Sequence, residues 1–196
     1  MNTDEKPSFT EIDRGYRQTL HNLDQLNKPL LICFSGAPGS GKTTLAKKIE
    51  TKFKAIKIGS DGINDAINRL KPELTSTGRR KLIRGYLFYL LDELKGGKNK
   101  LLIIDSSIDR KYKAVYDWGK KNGFDLFIIT LNVPEHELER RLKQRENYYE
   151  YLPHLENWIA EFEEFNWNHV ADFYSDSWEA NNPDTLYNKI RLKLKQ

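Results

Sequence analysis

Eight consecutive residues, Gly36-Ala37-Pro38-Gly39-Ser40-Gly41-Lys42-Thr43, hold the most specific chemistry in this sequence. They match Gly-x-x-x-x-Gly-Lys-[Ser/Thr] at every fixed position, the pattern of a loop that cradles phosphates. Glycines let the backbone enter φ > 0 and turn successive N–H groups toward one anion. Lys42 would then reach the β and γ phosphates of a bound polyphosphate and the Thr43 hydroxyl would take a place on Mg2+, with Thr44 counted in the same binding stretch.

Two aspartates are placed to act beside such a loop. Asp105 ends the apolar run Leu101-Leu102-Ile103-Ile104, and a carboxylate there holds Mg2+ with Thr43, usually through water. The competing role for Asp105 is to cap the turn that follows. Asp61 lies in Gly59-Ser60-Asp61-Gly62, directly after Ala55-Ile56-Lys57-Ile58. Asp is a favoured helix cap; at the carboxyl end of a strand it is also placed to accept a proton from, or orient, an attacking hydroxyl. Arg141 and Arg145 are four residues apart, which on a continuous helix puts both on one face. Over a γ-phosphate they stabilise the transferring group; paired with Glu137 and Glu146 they form an ordinary solvated face. Ser106 follows Asp105, where many ATP-driven motors carry a Glu that activates water.

These groups need a scaffold, and the apolar pattern supplies one. Leu30-Leu31-Ile32-Cys33-Phe34 before the glycine loop reads as a buried parallel strand, and Thr44 to Ile49 after it as a helix with its positive end toward the anion. Further strands are expected at Ala55–Ile58, Leu101–Asp105, Leu126–Leu131 and, short, within Asp172–Trp178. Helices are expected at Ile63–Leu70, Gly78–Lys95, Lys111–Lys121, after Pro134 (as first helical residue), Leu155–Trp167 and from Asn181-Asn182-Pro183-Asp184 onward. Alternating strands and helices imply an α/β three-layer sandwich, with a parallel sheet of about five strands and a helical lid around residues 134–152. Residues 1–7 read as a tail. Ser8-x-x-Glu11 opens a packing helix with Ile12, Tyr16, Leu20, Leu23 and Leu26 on one face, so residues 1–29 precede a single domain over 30–196.

Composition bounds the partners. In 196 residues, 32 Lys and Arg against 28 Asp and Glu leave a net charge of +4, too mild to argue for nucleic acid. Cys33 is the only cysteine; it excludes an internal disulfide and suits a reducing compartment. Nothing approaches a membrane span, and Met1–Pro7 lacks the apolar core of a secretory signal, so a cytoplasmic location is expected. The four histidines, His21, His136, His154 and His169, show no metal-ligand spacing.

The phosphate loop, the Asp61 turn, Leu101–Asp105, Asn132-Val133-Pro134 and Arg141-x-x-x-Arg145 together resemble the small P-loop kinases, of the P-loop NTPase kinase type. Within them the sequence is most similar to the family containing the kinase domains of polynucleotide 5′-kinases and the zeta toxins. Gluconate and adenylylsulfate kinases are more distant. The resemblance runs from about Leu30 to the C-terminus. It implies ATP and Mg2+ as cofactors, Asp61 as the acceptor-activating carboxylate, and Arg141 and Arg145 as lid arginines. That family commonly has an arginine three residues after the turn Asp. Asn64 stands there instead, so the acceptor remains open among a small molecule, a nucleotide and a nucleic-acid 5′ end.

Two fragments have competing roles. Arg79, Arg80, Lys81 and Arg84 would receive an anionic acceptor or merely open a charged helix. Tyr148, Tyr149, Tyr151, Trp158 and Trp167 would stack on a base or sugar face, or fill the core. Against an ATP-dependent kinase stands a nucleotide-dependent ATPase or switch without a dedicated acceptor. Asn27-Lys28-Pro29-Leu30 and Asn188-Lys189-Ile190-Arg191 both lack the Asp of a guanine-recognition motif, and Leu-Ser-Gly-Gly-Gln is absent.

Overall fold

The computed structural model describes Phe9 and residues 29–96, 101–146, 148–165, 167–176 and 183–195. The expected tail, the expected first helix apart from Phe9, and the Asn181-Asn182 helix start lie outside these residues. Phe9 places its ring 6.0 Å from Tyr86 and 5.5 Å from Tyr89.

Five strands, β1 (Leu30–Ser35), β2 (Ile56–Gly59), β3 (Leu101–Ser107), β4 (Asp125–Leu131) and β5 (Phe173–Ser175), form one parallel sheet in the order β2-β3-β1-β4-β5. Parallel strands cannot be joined by hairpins, so helices carry the crossovers. In chain order the described helices are α1 (Lys42–Phe53), α2 (Ser60–Leu70), α3 (Ser76–Leu94), α4 (Tyr112–Lys121), α5 (Glu135–Lys143), α6 (Leu155–Glu163) and α7 (Pro183–Lys195).

The central strands read as continuous apolar runs because both faces are covered. Leu31 and Cys33 of β1 join Leu102 and Ile104 of β3 in a core closed by α2, α3 and α4. Leu30, Ile32 and Phe34 join Leu101 and Ile103 in a second core closed by α1 and α7. The period of two then assigns directions. Asp105 shares the face of Leu101 and Ile103, so it emerges beside α1 rather than beside α3. Lys57, out of phase with Ile58, emerges on that same face.

Two details move functional groups. Cys33 pairs with Ile104 but Phe34 pairs with Ser107, so β3 carries two extra residues, Asp105 and Ser106, at its carboxyl end. Bulges of this kind re-aim side chains next to active sites. The chain also leaves β1 toward β2 and later crosses to β4 on the opposite side of β1. That reversal opens the crevice in which open α/β sheets bind ligands.

Three expected boundaries are corrected. α5 ends at Lys143, so Arg141 and Arg145 do not share one helix face. Leu138 and Leu142 bury against Ala37 and Val133, but the next position of that stripe is Glu146; with no apolar side chain to bury, the helix closes in a turn with Arg145 N–H donating to the Leu142 carbonyl at 2.9 Å. Pro134 is the cap of α5 rather than its first residue, and its carbonyl accepts from the N–H groups of Glu137 and Leu138. α6 stops at Glu163 instead of reaching Trp167. Trp167 turns back under Phe165, with ring centroids 4.3 Å apart, and is buried.

Candidate active site

The glycine loop runs between β1 and α1, where it was expected. Gly36 has φ 133°, and a Cβ there would lie 2.5 Å from the Leu131 carbonyl oxygen, so only glycine fits. Gly41 caps α1 at φ 97°, which leaves the first N–H groups of the helix open toward the loop. Lys42 bends over this loop. Its ammonium donates to the carbonyls of Gly36 (2.6 Å) and Ala37 (2.8 Å) and to Ser40 Oγ (3.2 Å).

A cavity of about 280 Å³ opens over the loop. Gly36, Ala37, Pro38, Gly39, Gly41, Lys42, Thr43 and Thr44 form its floor; Asp61, Asp105 and Arg145 also line it. Ser40 is buried beneath, and Arg141 does not line it. Arg141 donates to Glu137 at 2.6 Å and contacts the Gly39 carbonyl at 3.5 Å, from behind the loop. Arg140 and Arg141 together hold the Glu137 carboxyl down to about 2.

Thr43 and Asp105 were the expected metal ligands, and the structure brings them into contact, with Thr43 Oγ1 donating to Asp105 Oδ1 at 3.0 Å. Adjacent oxygens around an octahedral Mg2+ with bonds of 2.0–2.1 Å lie about 3 Å apart. The donor pair therefore fits a hard cation, which would also take phosphate oxygens and water. Lys57 holds the other oxygen of Asp105 at 3.3 Å. A Cβ at position 59 would lie 3.9 Å from both Lys57 Nζ and Asp105 Oδ2, an ordinary contact distance, so this pair does not depend on glycine there.

Asp61 sits in the first turn of α2, and Gly59 holds the cap position. The helix begins at Ser60, so Asp61 lies inside it rather than at its cap, and it lines the cavity. Surrounding walls, then the like charges of Asp105 and Asp65, raise its pKa above the ordinary carboxylate value, while Arg145 and Lys42 oppose the rise. A raised pKa brings a carboxylate base closer to neutral working pH.

Sequence reasoning missed several groups. Asp109 lines the cavity, accepts from the buried Ser35 hydroxyl at 2.7 Å, and is the largest charge opposing the desolvation of Lys42. Lys111 donates to Ser106 Oγ at 2.7 Å, and burial lowers its pKa to about 8. The signal for these was only a polar loop after a buried strand. Of the singled-out aromatics, Tyr151 and Trp158 line the cavity, Trp167 belongs to the core, and Tyr148 and Tyr149 are exposed outside it. Arg145 lies over the Tyr151 ring at 5.5 Å. Arg79 is committed to the backbone carbonyls of Pro72 and Leu74.

Burial lowers the Lys42 pKa from 10.5 to about 8, against the opposing pull of Asp109 and Asp105. The unfolded chain binds more protons than the folded one between these values, so this group makes stability rise with pH across that window. An anionic phosphate restores the lost charge. Nucleotide binding at pH 8 is therefore expected to take up about 0.5 proton. Calorimetry of Mg-ATP binding in two buffers of different ionisation enthalpy measures it; buffer-independent heats would contradict it.

Solved structures share this fold. The PezAT chromosomal toxin-antitoxin system of Streptococcus pneumoniae aligns with TM-score 0.64 and 17% identity, over 82% of this chain and 72% of that one. Shikimate kinase from Bacteroides thetaiotaomicron aligns with TM-score 0.55 and 18% identity, over 85% of this chain and 97% of that one. By sequence, the chain is 27% identical over 149 residues to Myosin-D of Toxoplasma gondii, covering 70% of the chain; it spans 18% of that protein's length. Among the described residues no helix is long and apolar enough to cross a membrane. A family model described as an AAA domain matches residues 31–164, and on that match the chain belongs to this family, with the nucleotide-binding fold of the small P-loop kinases.

Proposed function

We propose that the chain is an ATP-dependent phosphotransferase that moves the γ-phosphoryl of Mg-ATP to a hydroxyl of a small molecule, a nucleotide or a nucleic-acid 5′ end. One observation carries this: Asp61, a carboxylate with a raised pKa, faces the same cavity as Lys42, Thr43, Asp105 and Arg145. Thr43 and Asp105 would hold Mg2+, which would supply positive charge against the phosphate chain. Lys42 and the loop N–H groups fix the phosphate chain. Asp61 orients the acceptor hydroxyl and takes its proton. The acceptor oxygen bonds to the γ-phosphorus as the bond to the β,γ-bridging oxygen breaks, and ADP leaves with that electron pair. A switch or ATPase without an acceptor gives Asp61 no task, and Ser106 rather than a carboxylate follows Asp105.

Arg145 faces the cavity from the turn after α5, and its guanidinium would stabilise the transferring group. Arg145→Ala is expected to lower kcat by about 10²–10³-fold, the loss for one preorganised donor, with little change in the KM for ATP, because the contact strengthens in the transition state. Arg141→Ala should cost less than about 10-fold, since its guanidinium already serves Glu137 and the loop from behind. Lys at position 145 should rescue poorly for want of the planar fork. Steady-state kinetics of the three variants test this; equal losses for Arg141→Ala and Arg145→Ala would contradict it. The activity itself is tested with γ-labelled ATP and pooled nucleosides, nucleotides, 5′-hydroxyl oligonucleotides, sugars and antibiotics. Label on an acceptor supports the assignment; label released only as inorganic phosphate refutes it.

A further inference from the structure

Beyond the phosphate loop the cavity meets a second, more open cleft of about 590 Å³. Arg110, Trp158 and Glu161 line both. Asp61 lines the first of these cavities together with the same three side chains. The Arg110–Glu161 ion pair is 3.2 Å long, with side chains 55% and 35% exposed. A pair this exposed contributes little by itself, so ligand groups replace it at small cost. Its two halves are chemically complementary: Glu161 accepts two hydrogen bonds, and Arg110 donates two in a planar fork. Trp158 adds an apolar, polarisable surface beside them.

The charges of the cleft decide between acceptor classes. Arg80 and Arg110 are matched by Glu161 and Glu164, so the lining has no cationic excess. A polynucleotide end, whose phosphates are held by Lys and Arg, finds no such excess here. Arg79, another member of the cluster expected to face an anion, binds backbone carbonyls instead.

We propose that this junction is the acceptor subsite and that it takes an uncharged ring bearing vicinal hydroxyls, packed on Trp158 and held between Glu161 and Arg110. The inference rests on the phosphotransferase assignment above. One hydroxyl of the diol donates to Glu161, the other accepts from Arg110, and a further hydroxyl of the same molecule reaches Asp61. That hydroxyl loses its proton to Asp61 and gains the phosphoryl group, with ADP as the leaving group. A free sugar and the ribose of a nucleoside both offer this chemistry.

The test uses the full chain with γ-labelled Mg-ATP and separate acceptors: glucose, ribose, adenosine, uridine, glucose 6-phosphate and a 5′-hydroxyl DNA hexamer. Label is expected on a neutral acceptor, and the sugar and nucleoside arms show which source is used. With that acceptor, Glu161→Gln and Arg110→Gln should each raise the acceptor KM by roughly ten- to a hundred-fold, the worth of a hydrogen bond to a charged group. The KM for ATP and kcat should stay within about three-fold, a split that a general loss of structure would not give. Label confined to glucose 6-phosphate or the hexamer overturns the inference and leaves the phosphotransferase assignment standing. So does a neutral acceptor whose KM neither variant changes. Release of label as inorganic phosphate in every mixture removes the phosphotransferase assignment, and this inference with it.

Discussion

Lys42→Ala is expected to lower phosphoryl transfer by about 10³-fold, at the upper end of the loss seen when one preorganised charge is removed from a reacting anion. Two effects combine. The ammonium is the cation that the loop aims into the cavity, and it also ties the loop together through the Gly36 and Ala37 carbonyls and Ser40 Oγ. Truncation removes charge from the site of negative-charge development and loosens the cradle at once. Both kcat and the KM for Mg-ATP should therefore worsen, unlike the pattern expected for Arg145→Ala. Folding should survive. Lys42 carries its charge against a desolvation penalty that has already lowered its pKa to about 8, so removing it relieves a cost as it deletes three hydrogen bonds. A melting temperature within about 4 °C of the parent is expected, corresponding to about 1 kcal/mol or less. Near-parental transfer in a folded Lys42→Ala protein would contradict the phosphate-binding role.

Asp61→Asn should lower transfer by about 10²–10⁴-fold, the range for a positioned acid or base, while ATP affinity changes less than about three-fold. Asn keeps the shape of the side chain and its hydrogen bond to a hydroxyl but cannot take the proton. The structure adds a second signature. Because the native carboxyl has a raised pKa, the folded chain binds more protons than the unfolded one just above the ordinary carboxylate value of 3.8. Stability contributed by this group is present at low pH and lost as pH rises through the folded pKa. At neutral pH, Asp61 is therefore a destabilising charge beside Asp105 and Asp65, and Asp61→Asn should melt higher than the parent while turning over far more slowly. Thermal melts at pH 7 and transfer assays on the same preparation check both. A mutant that mainly loses ATP binding, or that melts lower, would contradict the assignment.

The sequence made the scaffold legible where both faces of an element are buried. Leu30–Phe34, Leu101–Asp105 and Leu126–Leu131 are unbroken apolar runs, and they are the strands β1, β3 and β4 within one or two residues at each end. The loop glycines were equally plain, since their φ values of 133°, 88° and 97° at Gly36, Gly39 and Gly41 are ones that other residues rarely adopt. Side-chain delivery was harder. The bulge that skips Asp105 and Ser106 is a register event between β1 and β3, and no local pattern announces it. Lys57 reaches Asp105 from a different strand, so only the sheet order brings the two together. Arg145 illustrates the limit of spacing arguments. Four residues from Arg141 implied one helical face, yet the polar Glu146 gives α5 nothing further to bury, and the chain turns. That turn separates the two arginines, one into the cavity and one behind the loop. Asp109 and Ser35, 74 residues apart, were likewise joined only by the crossover.

The most direct measurement is the stoichiometry of a single preparation with Mg-ATP and saturating acceptor, followed by phosphorus NMR as ATP is consumed. Each ADP formed should be matched by one new phosphate monoester on the acceptor, and omission of Mg2+ or replacement of Lys42 by Ala should stop both signals together. ADP matched by free inorganic phosphate, with no monoester on any acceptor, would contradict transfer to a hydroxyl at this site.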